Sequence, residues 1–327
     1  MVGVAGSIPA VPTIRVGIPM PDKQEQDLSQ TAAIRPMASV SVNSDLSRLE
    51  AAIEKIAQVT DQQWQATLSE RKKKELEFHD SHRDRAANAP AAAEGDTYEK
   101  FYGNKKYYTA TDRSRQYVEN WIKQNAPGAV FLDYACGDGM NAISAAKAGA
   151  KMAVGIDISP ISVENARKDA QASGVSATTR FVQADCENTL LPDNSVDVVI
   201  CSGMLHHLDL SYAFPELRRI MKPGAKLLAV EALDYNPMIK LYRMMTPQMR
   251  TEWEKAHILS HKDLRFARRF FEVGQVKYWH ILGIATPHLP RPLAALAHSL
   301  DKLLEKTPLM QMMAWIFTFE LTKPKAS

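Results

Sequence analysis

The chain has 327 residues, and its 45% hydrophobic and 24% charged residues are typical of a globular protein with a full core. The net charge at pH 7 is only +3, and the one dense basic run, Arg71 to Lys74, is flanked by glutamates. Nucleic-acid-binding proteins usually carry a clustered basic face. The run therefore indicates a solvated helix face, and we expect no nucleic-acid partner.

Cysteine usage and hydropathy bear on the compartment of the protein. The three cysteines form no CxxC pair and no disulfide framework, which favours a reducing cytoplasm. No run approaches the roughly 18 apolar residues of a membrane-spanning helix. The N-terminus has no basic region and is broken by prolines, which is untypical of a signal peptide. We expect a cytoplasmic location and no metal site.

The first 112 residues are predicted to form two regions. Residues 1–43 contain five prolines and no sustained period, which predicts a disordered or loosely packed extension. Residues 44–112 form a predicted helical and lid region, in which Asp45 caps a first helix with an apolar stripe. One helix is predicted from Asp61 to His79, with Trp64 facing inward. An alanine-rich loop and an aromatic cluster follow.

Strands and helices alternate over residues 113–327, which we predict to be the main domain. The predicted strands are 129–132, 152–156, 180–182, 196–201, 226–232 and two tail strands near 276–284 and 315–321. Each strand–helix–strand step takes roughly 25 to 30 residues, which favours a parallel, doubly wound α/β sheet. An insertion rich in Met, Arg and His, at about 234–270, precedes the tail strands.

A glycine-containing loop follows the first predicted strand of this domain. The strand ends at Asp133, and Gly137 and Gly139 lie in the loop before the next helix. Glycines let the backbone approach a ligand closely, and a helix N-terminus suits a carboxylate. Asp133 suits an ammonium group beside it. A ligand with both groups is an amino acid, and S-adenosylmethionine (SAM) carries both.

Two further acids end the second and third predicted strands. Asp157 can accept hydrogen bonds from ribose hydroxyls, and Asp185 can accept one from the adenine amino group. Ligands of open α/β sheets bind at these carboxyl ends. A nicotinamide dinucleotide site needs G-x-G-x-x-G, but the corresponding positions are Ala135, Gly137 and Met140. A phosphate-binding P-loop is missing from the sequence too.

The ordered motifs resemble the class I SAM-dependent methyltransferase family, especially its small-molecule branch of the type 11/25 kind. They are Leu132–Gly139, Gly155–Ser159, Ala184–Cys186, Leu191–Asp197, Leu205–Leu208 and Glu216–Gly224. The resemblance implies a Rossmann-like seven-stranded sheet of order 3-2-1-4-5-7-6. An N-terminal helical extension and a helical cap after strand five would be added to it. Ala135 replaces the usual glycine of the family, and we expect only a small adjustment for its methyl group.

The same resemblance implies SAM as the cofactor and a set of residues that bind it. They are Asp133, Ala135, Gly137, Gly139, Asp157, Ile158, Asp185, Cys186, Ser202 and Tyr108. In the family, the segment before the first motif folds over the cofactor as a lid. An aromatic ring such as that of Tyr108 would stabilise the sulfonium.

Candidate catalytic and acceptor-binding residues follow strands four and five. His206, His207 and His257 are candidate general bases, although histidines after strand four often only shape the pocket wall in the resembled family. The insertion occupies the position that usually roofs the acceptor site. There, Arg243 and Arg250 suit an anionic or polar group, and Met244 suits an apolar wall.

We expect SAM-dependent methyl transfer to O, N or C of a small-molecule acceptor. The insertion and tail resemble bacterial methyltransferases of saccharide, glycolipid or natural-product pathways. One alternative is an inactive, cofactor-binding partner subunit, because Ala135 departs from the family and no base is certain. Another is a lipid or quinone methyltransferase at a membrane surface, suggested by the apolar segment Leu289–Leu304. Membrane-surface contact is possible, but we do not expect it. The sequence does not specify the oligomeric state.

Overall fold

A computed structural model describes residues 38–85, 109–246 and 250–325. Residues 40–327 group into one compact unit. Within the described ranges, no helix is both long and apolar enough to cross a membrane. Tyr108, with the rest of the predicted aromatic cluster, lies outside the described residues. The predicted division into domains stays a prediction.

Three helices precede the sheet. They are α1 (Ala38–Ala57), α2 (Asp61–Thr67) and α3 (Glu70–Arg83). The predicted cap at Asp45 is wrong, because α1 begins before that residue and runs through it. The single helix predicted from Asp61 to His79 is also wrong. The chain is extended at Leu68, and Ser69 caps a new helix by accepting a hydrogen bond from the backbone N of Lys72.

The apolar faces of the first two helices pack into the main core, as predicted. Leu49, Ile53 and Ile56 of α1 and Trp64 of α2 are all buried. They belong to the same hydrophobic cluster as buried side chains of the central strands, such as Leu132. The N-terminal helices are therefore fixed to the sheet by apolar burial, which is the main favourable term in folding.

The central sheet confirms the predicted topology. Its strands are β1 (Val130–Tyr134), β2 (Met152–Asp157), β3 (Thr179–Gln183), β4 (Val196–Ser202), β5 (Met221–Ala232), β6 (Glu272–Trp279) and β7 (Ile316–Thr322). The order is β3-β2-β1-β4-β5-β7-β6, and β7 runs antiparallel to both its neighbours. β1 and β2 are buried along their whole lengths, which explains their nearly continuous apolar sequences.

Helices cover the sheet and fill the insertion. They are α4 (Asp112–Asn125), α5 (Met140–Lys147), α6 (Pro160–Ala172), α7 (Leu210–Ile220), α8 (Pro237–Met245), α9 (Glu252–His257), α10 (His261–Ala267) and α11 (Arg291–Leu304). The predicted cap of α6 is confirmed, since Ser159 accepts from the backbone N of Ser162 and Pro160 follows it. Short 3-10 helices lie at Leu205–His207 and Gly283–His288.

The fifth strand differs most from its predicted bounds. β5 starts at Met221, well before the predicted Lys226, and its pairing register with β4 shifts between Val196 and Val198. The Pro223–Gly224 pair is thus absorbed as a strand irregularity and does not separate a helix from a strand. The direction of the sheet order reverses between β1 and β4, which is where ligands bind in folds of this kind.

Candidate cofactor and acceptor sites

Asp157, at the end of β2, joins two loops at the carboxyl edge of the sheet. Its Oδ2 accepts a hydrogen bond from the backbone N of Gly137 at 2.8 Å, and its Oδ1 accepts one from the backbone N of Ser159 at 2.9 Å. Burial raises the pKa of Asp157, although the two amides act in the opposite direction. The carboxyl group also lines a cavity between the strand ends. This placement fits the predicted contact with ribose hydroxyls.

The glycine loop adopts a left-handed backbone at three positions. The φ angles are 59° at Ala135, 51° at Gly137 and 76° at Gly139. This region favours glycine, and an alanine there costs about 1 kcal/mol. The departure at Ala135 therefore constrains the backbone as well as the space around it, and the expectation of only a small adjustment stays a prediction. A Cβ at Gly139 would lie 2.6 Å from the Phe181 ring, so packing against β3 also requires that glycine.

Asp133 faces the start of α5. Its Oδ2 accepts from the backbone N of Ala142 at 3.0 Å, and its Oδ1 accepts from the Asn141 side chain at 3.3 Å. Burial raises the pKa of Asp133 to about 7. The carboxyl group thus positions the glycine loop against the helix, and a direct contact with an ammonium group stays a prediction.

Helix α3 lies over the adenine end of the predicted cofactor site. Lys72 Nζ is 2.5 Å from Asp185 Oδ2 and 2.8 Å from Glu187 Oε2. Arg71 also contacts Glu187 at 2.5 Å and donates to the backbone O of His207 at 2.9 Å. The prediction of a solvated basic face is therefore wrong for Arg71 and Lys72. A lysine ammonium lies where the sequence places the adenine amino group.

The C-terminal part of α3 covers the amino-acid end of the same site. A Cβ at Gly137 would lie 2.9 Å from the guanidinium nitrogens of Arg83, which also pairs with Asp138 at 3.3 Å. Asp80 accepts a hydrogen bond from Ser159 Oγ at 2.5 Å. The cavity left beneath α3 is about 30 Å³, whereas small-molecule pockets usually measure about 300–1,000 Å³. Side chains of α3 must therefore move before a nucleoside can enter.

Several other predicted cofactor residues lie at this cavity. Ala135, Ile158 and Cys186 line it, as does Asp185. Ser202 does not, because its side chain is exposed where β4 ends. Burial raises the pKa of the Cys186 thiol well above its usual range, which argues against a reactive thiolate and for a packing role.

A second cavity, of about 220 Å³, adjoins the first at the loop after β4. His207 lines the first cavity and His206 lines the second. The centroids of the two imidazole rings are 4.4 Å apart. The second cavity has walls from α8, α9 and the Gly283–His288 helix. A ligand in each cavity would thus be separated by little more than these two rings.

A buried carboxylate orients His206. His206 Nδ1 lies 2.7 Å from Glu231 Oε2, and Glu231 Oε1 accepts from the backbone N of Met204 at 2.9 Å and of Leu205 at 2.8 Å. Burial lowers the pKa of His206, but Glu231 and then Glu254 raise it more, to a net value above the usual 6.5. The two backbone amides that donate to Glu231 Oε1 leave Oε2 as the acceptor for His206, so we place the ring proton on Nδ1. Nε2 is then the basic nitrogen of the neutral ring.

Glu231 is a functional residue that the sequence analysis missed. It is an isolated acid near the end of an otherwise apolar strand, which by itself suggests only an exposed edge position. Pairing of Ser202 in β4 with Val230 in β5 places it beside the loop after β4. Only the known order of these strands would have pointed to the contact.

Two arginines from the insertion line the second cavity, and their predicted contact with a polar group of the acceptor stays a prediction. The Arg243 side chain is only 12% exposed, and Nη1 is 3.5 Å from Asp234 Oδ1. Burial, followed by the charge of Arg250, lowers the pKa of Arg243 to about 10. Arg250 pairs with Glu254, with 3.3 Å between Nε and Oε1. The prediction for Met244 is wrong, because its side chain is largely exposed and the cavity-facing side of α8 carries Arg243.

The other two candidate bases are placed differently from His206. His207 Nδ1 is 2.8 Å from Glu75 Oε2 of α3, so this ring is tied to the helix that covers the first cavity. His257 is exposed and stacks on Trp253, with ring centroids 3.7 Å apart. It lines a separate groove with residues of α10, and the prediction that groups it with His206 is wrong.

Among the described residues, three sets of side chains have the chemistry to hold a metal ion: Glu75, His79 and His207; His206, His207 and Glu254; and His280, Asp301 and Glu305. The first of these lies at the first cavity. Ligand atoms of Glu75, His79 and His207 all lie within 4.8 Å of one another. In the present arrangement Glu75 and His207 are directly hydrogen-bonded, and Glu75 also accepts from Thr251 Oγ1 at 2.5 Å. The expectation of no metal stays a prediction.

Comparisons with known proteins find a match to the predicted family over part of the chain. Residues 132–229 match the family model described as a methyltransferase domain. The ribosomal protein L11 methyltransferase of Burkholderia cenocepacia is 34% identical over 108 residues, which are 33% of each chain. The chain thus spans about a third of the length of this curated relative.

Solved structures of similar fold include magnesium protoporphyrin IX methyltransferase from Synechocystis. It is 18% identical, with a TM-score of 0.47, and the match covers 68% of this chain and 87% of that one. The [4+2]-cyclase SpnF is 20% identical with a TM-score of 0.47, over 64% of this chain and 81% of that one.

The matched segment contains β2, β3 and β4, most of β1 and β5, and the acids at the edge of the sheet. Asp133, Asp157 and Asp185 all fall within residues 132–229. The same ordered motifs predicted both the sheet order and the family. Residues 132–229 of the chain are therefore similar to a methyltransferase domain.

Proposed function

We propose that this chain transfers the methyl group of SAM to a small-molecule acceptor bound in the second cavity. The observation that carries the proposal is the order of groups along one sheet edge. Asp185, Asp157 and the loop at Gly137 follow β3, β2 and β1, which are neighbours in the sheet. They match, in that order, the adenine, ribose and amino-acid parts of SAM.

The side chains at this edge suit the charges of SAM. Asp157 offers a carboxylate for the ribose hydroxyls, and Asp185 offers one for the adenine amino group once Lys72 has left it. The guanidinium of Arg83, above Gly137, supplies a cation for the carboxylate of the amino-acid part. Binding thus exchanges protein–protein ion pairs of α3 for protein–cofactor contacts.

His206 is the residue we propose for proton removal. SAM, when bound, supplies an electrophilic methyl group on a sulfonium sulfur. Its methyl carbon would bond to the acceptor nucleophile, and the electron pair of the broken carbon–sulfur bond would stay with S-adenosylhomocysteine. His206 Nε2 accepts the acceptor's proton, because Glu231 holds the proton on Nδ1. Holding both reactants in adjoining cavities supplies much of the remaining acceleration.

The second cavity favours an acceptor with an anionic group. The Arg243 side chain is largely buried, and its guanidinium forms an ion pair with Asp234 at 3.5 Å. Asp234 is itself 3.1 Å from Lys240. A carboxylate or phosphate on the acceptor would provide the partner that this guanidinium needs. A cationic acceptor, such as a protein lysine, would meet the Arg243 guanidinium here, whereas Arg250 is already paired with Glu254. The cavity volume of about 220 Å³ fits a small metabolite or one end of a longer one.

Calorimetry with SAM and with S-adenosylhomocysteine tests cofactor binding directly. Asp157→Ala should weaken binding at least tenfold, while Asp112→Ala, which removes an exposed carboxylate paired with Arg115, should leave it unchanged. Unchanged affinity in Asp157→Ala would refute the ribose assignment, and no binding to the unaltered protein at millimolar ligand would refute the function.

A second measurement tests the acceptor. Methyl release from labelled SAM in a screen of acidic, neutral and cationic metabolites should single out acidic ones. Release with any acceptor excludes the inactive partner subunit. For an acidic acceptor, Arg243→Ala should raise KM more than it lowers kcat, because the arginine binds a group remote from the transferred methyl.

A further inference from the structure

Helix α11 turns its acidic side chains inward. Asp301 is fully buried, and its two carboxylate oxygens accept from the backbone N of Leu282 at 2.7 Å and of Gly283 at 2.8 Å. Glu305, just after the helix, forms two hydrogen bonds with the Arg113 guanidinium, at 2.9 and 2.6 Å. Polar contacts made by its acids therefore fix the inner face of α11.

The outer face of α11 carries leucines. Leu293, Leu296, Leu300 and Leu303 are 52%, 54%, 43% and 66% exposed. Their spacing of three and four residues puts them on one side of the helix. Leu309, beyond the helix, is 80% exposed. Single exposed leucines are ordinary, but a continuous apolar stripe of this kind usually marks an interaction site.

The charges that flank the leucines are all basic. Between residues 291 and 306, the exposed charged side chains are Arg291, Lys302 and Lys306, because the two acids are buried. An outward apolar stripe with basic flanks is the pattern of helices that lie in the interface of an anionic membrane.

We propose that α11 docks this protein on the surface of an anionic lipid bilayer. The helix lies in the plane of the interface, with its leucines between the headgroups and acyl chains. Arg291, Lys302 and Lys306 contact the anionic headgroups. This docking goes beyond the proposed methyl transfer and does not depend on it.

Docking places the second cavity near the membrane. The Gly283–His288 helix lines that cavity through Ile284 and His288, and it packs against α11 and leads directly into it. Met238 of α8 also lines the cavity and is 68% exposed. If the proposed function holds, the acceptor is therefore an amphiphile, with an anionic group for Arg243 and an apolar part that remains in the membrane. This extension rests on the proposed function.

Vesicle co-sedimentation of the full chain tests the docking. Binding is expected to phosphatidylcholine vesicles that contain phosphatidylglycerol and to be much weaker to phosphatidylcholine alone. It should fall with rising salt, because exposed charges are screened. Lys302→Gln and Lys306→Gln should each weaken binding about fivefold. Leu296→Glu with Leu300→Glu should weaken it at least tenfold, whereas Tyr212→Glu, an exposed apolar site on α7, should not change it.

Two results would overturn the proposal. One is equal sedimentation of the unaltered protein with and without anionic vesicles. The other is a dimer in solution, seen by light scattering, that the Leu296→Glu and Leu300→Glu pair converts to a monomer, because the stripe would then be a subunit interface. SAM binding by the same variants, measured by calorimetry, separates the two proposals. A variant that loses docking but still binds SAM supports the assignment of the membrane-docking surface to α11. A failure to bind SAM with docking intact would count against the proposed function and not against the docking.

Discussion

Replacing Lys72 with methionine should strengthen SAM binding. Lys72 contributes the cation that sits on Asp185 and Glu187, in the predicted adenine position. Methionine keeps most of the apolar length of the side chain but cannot pair with either carboxylate. The arrangement in which side chains of α3 occupy the cofactor site is then less stable, while the groups proposed to hold SAM are unchanged. A larger fraction of the protein is competent to bind, so the apparent affinity rises.

The magnitude follows from the geometry of the pair. The Lys72, Asp185 and Glu187 side chains are 17%, 13% and 5% exposed, so the contacts lie in a partly desolvated setting. Unit charges about 4 Å apart attract by about 4 kcal/mol at an effective dielectric constant of about 20, and desolvation of the charges offsets much of this. A net contribution of about 1–2 kcal/mol is reasonable, since hydrogen bonds to charged groups usually contribute about 1.5–3 kcal/mol. The Kd for SAM should fall about five- to thirtyfold.

Titration calorimetry of the unaltered protein and the Lys72→Met variant measures this change. Lys74→Met is the matched control, because Lys74 lies on the same helix with an exposed side chain and does not line the cavity. Without SAM, the melting temperature of Lys72→Met should be lower than that of the control. Equal or weaker SAM binding by Lys72→Met would show that this lysine holds the cofactor instead of competing with it, and the reasoning would be refuted.

Two further substitutions test the buried acids. Glu231→Gln would donate to His206 Nδ1 and move the ring proton to Nε2, so kcat should fall at least about a hundredfold. In the unaltered enzyme, the raised pKa of His206 places the rise of activity with pH above pH 6.5. The variant should lose this rise, and an unchanged pH profile would argue against His206 as the base. The pKa of Asp133 is about 7 in the fold, well above its usual 3.8, so ionisation of Asp133 reduces stability as pH rises from about 4 to about 7. The melting temperature of Asp133→Asn, relative to that of the unaltered protein, should therefore be higher at pH 8 than at pH 5. An equal difference in melting temperature at the two pH values would contradict this.

The placement of the acids at one edge of the sheet could be predicted because its signals are local. Each acid follows a short apolar strand directly, and a parallel sheet brings consecutive strand ends to one edge. Asp157 and Asp185 were found in this way. The cap of α6 at Ser159 was predicted for the same reason, since a cap depends only on the residues next to it.

The role of α3 could not be predicted, because it depends on contacts between distant residues. Lys72 and Asp185 are 113 positions apart in the chain. A run of basic residues among glutamates has the same pattern whether it faces water or a row of carboxylates. Ser69, which starts the helix and so sets its direction, was read as an interior residue of a longer helix. Because the start of α3 at Ser69 was not predicted, the position of this helix over the cofactor site could not be predicted either.

For α11, the sequence specifies two faces but not which one is buried. A helix with leucines on one side and acids on the other ordinarily packs its leucines inward. Here Arg113 and the backbone amides of Leu282 and Gly283 offer partners that the acids could not find in an apolar core. Burying a carboxylate is costly unless it is hydrogen-bonded, and these partners meet that need. The leucines are then left on the outside. Their exposure is thus a consequence of how the acids are satisfied, and the basic flanks indicate that an anionic membrane covers them.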